Sequence, residues 1–232
     1  MISSFFEIKT PIRKPVTTTL SIRRRNSLVL AMLLAAAALL HPARLAAQDN
    51  TLDLRFLEID SKSHVTYQNF IYSRMLDSGQ WMFQANYLRI PQAGQYIEGA
   101  AAVGFRLATI GKVSTYALAG YGTATDGNYF EPALFAVSTE GKLTGDAYVQ
   151  RYVAVSRGTS AWLLDPLELQ YAVGGPFAIG AALYAYRPEG GEWFTKLGGK
   201  IGLNDKLGTN EIRISHVSTG GAEFQFRRIF VF

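Results

Sequence analysis

The feature that most constrains this chain is its ending. Residues 222–232 read Ala-Glu-Phe-Gln-Phe-Arg-Arg-Ile-Phe-Val-Phe. Successive side chains of an extended strand point to opposite faces. Phe224, Phe226, Phe230 and Phe232 therefore share one face, and Glu223, Gln225 and Arg227 share the other. Such a strand divides an apolar environment from a polar one, and it stops on an aromatic.

The same alternation recurs upstream. Turn-forming clusters such as Asp77-Ser78-Gly79, Thr125-Asp126-Gly127-Asn128 and Asn204-Asp205-Lys206-Leu207-Gly208 punctuate the chain about every 15 residues. Eleven of them separate twelve candidate strands, with ten as the competing count. The segments between turns are long for soluble strands, which usually run about 5–6 residues, and suit tilted membrane strands of about 9–11. Trp81, Phe83, Ala85 and Tyr87 oppose Gln80, Gln84 and Asn86. Leu163, Leu167, Leu169, Tyr171 and Val173 oppose Glu168 and Gln170, and Leu197, Ile201 and Leu203 oppose Lys196 and Lys200. A secreted β-sandwich, the soluble alternative, would have shorter strands and at least one longer connection. Residues 64–75, 112–122 and 128–139 alternate poorly. Arg151 and Arg228 fall on apolar faces, as expected for long side chains near headgroups.

This ending, aromatic on one face and closed by Phe232, resembles the C-terminal strand of bacterial outer-membrane β-barrels. The resemblance implies an all-β, antiparallel, up-and-down transmembrane β-barrel with short turns on both sides. It also implies residence in the cell outer membrane, contact with its lipid, and recognition of the last strand by the barrel-assembly machinery.

The beginning fits export. Arg23-Arg24-Arg25 precedes an apolar run over 27–40, and Leu45-Ala46-Ala47 supplies small residues for cleavage. This is the layout of a secretory signal peptide, and the run is too short to span a bilayer, which takes about 20 residues. The expected domains are a cleaved leader over 1–47 and a barrel over 48–232. Residues 1–47 hold seven of the 23 Lys/Arg and one of the 18 acidic residues, which leaves 16 and 17 and a formal charge of −1. The basic balance of the whole chain thus belongs to the leader and is no argument for nucleic acid. The absence of cysteine removes disulfides, thiolate metal sites and a thiol nucleophile. No cofactor is expected, and two histidines beyond the leader make a transition-metal site unexpected.

Two constellations could carry function. The expected inner wall bears Arg55, Arg106, Lys196, Lys200, Arg213 and Arg227 against Asp53, Glu98, Asp146, Glu168, Glu211 and Glu223. These charges either pair across the bore or line a narrow aqueous passage for small solutes. No run of one sign and no aromatic ladder is expected on this wall. The second constellation is His216-Val217-Ser218 with Glu223. It resembles the end of the lipid A 3-O-deacylase barrel family. That resemblance implies a general base at His216, a nucleophile at Ser218 and an orienting acid at Glu223. Thr219 stands where that family has Asn. The alternative is a His and a Ser at a strand end near the headgroups.

Overall fold

The computed structural model describes residues 50–62, 64–92 and 96–232. The leader expected over 1–47 lies outside them. The described residues form twelve strands: β1 (Asn50–Asp60), β2 (Thr66–Leu76), β3 (Trp81–Ile90), β4 (Tyr96–Ile110), β5 (Val113–Ala124) and β6 (Asn128–Glu140). There follow β7 (Leu143–Ala154), β8 (Ala161–Gly174), β9 (Phe177–Pro188), β10 (Phe194–Asp205), β11 (Gly208–Val217) and β12 (Ala222–Val231). Each pairs antiparallel with its neighbour in sequence, and β1 pairs with β12 to close a barrel. Twelve strands, not ten, build the wall. Closure leaves no open edge, so every strand has a hydrogen-bonded neighbour on both sides.

The seam is sealed at its last residue. Asn50 and Phe232 exchange both backbone N–H···O bonds at 3.1 Å. This end of the barrel also carries hairpin connections of two to four residues. In the tightest, Ile110 faces Val113 and Glu140 faces Leu143 across two residues. Gly111 and Gly141 occupy the first loop position at φ +61° and +59°, where a side chain would be strained. The opposite end, here the loop end, has connections of three to six residues.

The wall is inverted relative to a soluble protein. On β10, Ile201 is 63% exposed while its neighbour Lys200 is 5% exposed. Leu197, Leu203, Ile212, Ile214, Phe224 and Phe226 also face outward. A barrel in water would turn these residues inward. One in lipid gains by presenting them to acyl chains. Aromatics mark both ends of the exterior: Trp81 packs edge-on against Phe105 at 4.9 Å near the terminal end, and Trp162 and Trp193 stand near the loop end. Arg151 and Arg228, the arginines expected on apolar faces, are engaged there. Arg151 lies 5.1 Å over the Trp162 ring and 3.6 Å from Glu189. Arg228 grips both oxygens of Asp205 at 2.8 Å and lies 4.8 Å over Phe230.

Bulges interrupt the register between Arg55 and Leu57, Arg106 and Ala108, Asp146 and Tyr148, and Leu164 and Leu167. The last corrects one expectation. Leu163 pairs with Tyr186, which pairs with Phe194, two residues from the inward Lys196. Leu163 therefore lies on the inner face with Ala161 and Asp165. The extra residue before Leu167 returns the apolar set to the exterior.

Part of the interior is dry. Met82, Tyr116, Leu118 and Ala133 are buried together, with Met75, Phe135, Val137 and Tyr148 packed against them. This core fills the bore along β2–β7 towards the terminal end. The Tyr116 hydroxyl seals its edge by donating to the Gly79 carbonyl at 2.9 Å.

Candidate functional site

The site is the rest of the interior, and strand geometry places it. Glu211 and Arg213 are two apart on β11, so both point inward. The ladder sets Glu211 opposite Arg227 on β12 and Arg213 opposite Lys200 on β10. Two cations side by side would repel. Glu168 on β8 resolves this by reaching across β9: it accepts from Lys200 at 2.8 Å, lies 2.9 Å from the Arg213 guanidinium, and pairs directly with Arg227. Gly180 on β9 makes the crossing possible. A Cβ there would sit 2.0 Å from the Leu169 carbonyl oxygen and 2.7 Å from Lys200 Cε.

Further pairs extend this belt. Lys200 lies 3.1 Å and Arg227 3.2 Å from Glu211. Arg227 Nε is 3.1 Å from Asp53, and Arg55 Nε is 3.2 Å from the other oxygen of Asp53. Asp146 and Asp165 lie within the field of the same cations. The belt side chains are almost closed to solvent, Glu211 at 1% exposure. Buried charges persist only when paired, and Arg55, Lys200, Arg213 and Arg227 each have an acid partner here, although Arg213 Nε and Glu211 Oε2 make no hydrogen bond. It occupies the bore at mid-height.

Nearer the loop end, the interior is aromatic. Lys196 pairs directly with Glu223, and its ammonium lies 5.2 Å from the Tyr67 ring, 5.0 Å from Tyr184 and 5.5 Å from Phe194. Across the bore, Glu98 accepts from the Tyr96 hydroxyl at 2.8 Å and the Tyr152 hydroxyl at 3.4 Å. Glu131 accepts from Gln150 Nε2 at 2.7 Å. These aromatics gather in two groups, around Lys196 and around Glu98.

The structure brings Arg55, Glu168, Lys200, Glu211, Arg213 and Arg227 into one network, with Asp146 at its margin. Glu98 stands apart on the β4–β7 side. Arg106 lies at the terminal-end mouth and donates to Gln80 Oε1 at 3.2 Å rather than to an acid. Sequence reasoning missed Glu131 and Asp165. Glu131 sits in a strand of small and apolar residues whose faces could not be told apart, and Asp165 precedes the bulge that inverts the face.

His216, Ser218 and Glu223 do not meet. His216 is exposed on the outer face opposite Ala222, while Glu223 is inward opposite Ser215. No bulge occurs between β11 and β12, so the barrel wall separates base from acid. Ser218 lies beyond the end of β11. Its hydroxyl accepts from the Thr195 N–H at 3.0 Å, and its own N–H donates to the Thr195 carbonyl at 2.9 Å. Here Ser218 pins a turn. Glu223 and His216 thus face opposite sides of the wall.

No protein-family model and no curated protein sequence matches the chain. Solved structures do. The chain resembles the KdgM porin at 12% identity and TM-score 0.60, covering 78% of this chain and 99% of that one. It resembles the KdgM porin in complex with disordered oligogalacturonate at 11% identity and TM-score 0.61, with the same coverage. The NanC porin matches at 10% identity and TM-score 0.63, again covering 78% and 99%. At these identities the likeness establishes the fold, a closed twelve-stranded antiparallel barrel of porin type.

Proposed function

We propose that this chain is an integral outer-membrane barrel, exported by its leader, that forms a narrow porin-like passage for small solutes constricted at mid-height by the ion-pair belt. The observation that carries the reading is the inversion of the wall, with apolar residues outside and a charged, aromatic interior. The porin fold of its structural neighbours supports it. Asn50, Phe232 and the shorter turns lie at one end, which fits a periplasmic end with short turns. Oligogalacturonate, a ligand of the KdgM porin, finds no single-signed track here, because the belt mixes acids with cations.

Chemically, the belt is a filter. A solute passing mid-height must take over the bonds that Asp53, Glu168, Glu211 and the four cations now make to each other. This favours small polar solutes and slow passage. Planar-bilayer recording of the purified barrel tests the reading. Small, resolvable conductance steps in potassium chloride are expected, growing in Glu168→Gln as the belt loosens. Silence from both proteins would end the passage reading and leave a structural barrel.

A further inference from the structure

The interior holds one ammonium in a cage and a second cage of the same chemistry with no cation from the described residues in it. The filled cage is that of Lys196, with one carboxylate, Glu223, and three aromatic rings around its charge. The second lies on the β4–β7 side. Glu98 is 3% and Glu131 4% exposed, and neither makes an ion pair among the described residues. Tyr96 and Tyr152 bond to Glu98, and Tyr129 stacks edge-on against Tyr152 at 5.8 Å.

Two observations separate this place from a mere acidic cluster. Glu131 Oε1 is buried and has no hydrogen-bond partner. It also lies over Gly122, where a Cβ would stand 2.0 Å away. Gly122 pairs with Ala100 on β4, two residues from Glu98. The missing side chain on β5 thus lets Glu131 lean from β6 across towards Glu98. Two buried carboxylates are electrostatic neighbours with no basic side chain among the described residues beside them. Both carboxylates are ionised together only when a positive charge joins them, and without one the pair keeps a proton.

From this we infer that Glu98, Glu131, Tyr96, Tyr129 and Tyr152 form a binding site for an organic ammonium group, carried by a small amine entering from the loop end. The N–H donors satisfy Glu131 Oε1 and Glu98, and the tyrosine rings face the cation as the rings around Lys196 do. Tyr96 and Tyr152 are partly exposed, so the amine reaches the carboxylates by replacing the bonds of their hydroxyls. The inference deepens the passage reading by naming its substrate class, and it rests on that reading only for transport, not for binding.

The test is calorimetry on the purified full barrel in detergent, with butylammonium chloride and sodium butyrate as probes of equal size and opposite charge. Folding of each protein is checked by heat-modifiable migration. Butylammonium is expected to bind at least tenfold more tightly than butyrate, and Glu131→Gln and Glu98→Gln are each expected to lose at least tenfold. Either variant alone suffices if the other fails to fold. Equal affinity for the two probes, or wild-type affinity in a folded variant, overturns the site. Displacement of butylammonium by an equal concentration of calcium chloride also overturns it, in favour of a metal site. Potassium conductance is recorded on the same protein. Conductance without butylammonium binding sinks the amine site alone, and binding without conductance sinks the passage alone.

Discussion

Replacing Glu168 by Gln removes the hub of the belt while keeping its shape. Glu168 holds Lys200 at 2.8 Å and Arg213 at 2.9 Å, and pairs directly with Arg227, all with side chains at most 10% exposed. Removing one partner of a buried pair costs about 3–5 kcal/mol, because the remaining charge stays buried. Three cations lose a partner here, which argues for the upper end. Each also keeps one, at Glu211 or Asp53 within 3.1–3.5 Å, which argues for the lower. The lower figure should win, because a Gln oxygen still accepts one hydrogen bond. The expected loss is about 3 kcal/mol. With a urea slope of about 1–3 kcal/mol per molar, the unfolding midpoint should fall by about 1–3 M. Tryptophan fluorescence of the barrel in lipid vesicles reads this. Glu131→Gln supplies the contrast, since it deletes a carboxylate without a counter-ion and should leave the midpoint unchanged or higher. Equal midpoints for wild type and Glu168→Gln, or an equal fall in both variants, would refute the assignment of the belt as the principal buried charge network.

Three further outcomes follow from the same geometry. Gly180→Ala places a Cβ against the Leu169 carbonyl and the Lys200 stem, so it should destabilise by about 1–3 kcal/mol, read in the same urea titration. Gly208→Ala meets the Ile229 carbonyl oxygen at 1.9 Å at a φ of +137°, so it should slow or abolish folding, seen as loss of heat-modifiable migration on gels. Lipid A incubated with wild-type and Ser218→Ala protein should give identical mass spectra, because Ser218 is bonded to Thr195 and the wall separates His216 from Glu223.

Much of the wall was legible because lipid and a charged bore write opposite residues onto alternate positions. The ladder of β10, with Leu197, Ile201 and Leu203 against Lys196 and Lys200, is visible in one dimension. So is β12 with its outward Phe224 and Phe226. The signal failed in two physical situations. Where the bore is filled by an apolar core of Met82, Tyr116, Leu118 and Phe135, both faces of the strand are apolar or small and the alternation disappears. That is why residues 64–75, 112–122 and 128–139 read poorly and Glu131 went unnoticed. Where a bulge inserts a residue, as before Leu167, the pattern continues with its sign reversed, and Leu163 was placed on the wrong face. Part of the interior charge set is visible in the alternation, but Glu131 and Asp165 are not, and neither is the partition of the set. Which acids pair, and which stand alone at Glu98 and Glu131, depends on reach across two or three strands, made possible by Gly180 and Gly122.

The inversion of the wall can be measured directly, because a chain without cysteine accepts one label at a time. Single cysteines at positions 197 to 204 of β10, spin-labelled in lipid vesicles, report collision with oxygen, which concentrates in acyl chains, and with a water-soluble nickel chelate. Oxygen accessibility should peak at 197, 199, 201 and 203 and fall at 198, 200, 202 and 204, a period of two. A flat profile, or nickel access at 197 and 201 equal to that of a loop-end position such as 190, would contradict a lipid-facing exterior around a charged bore.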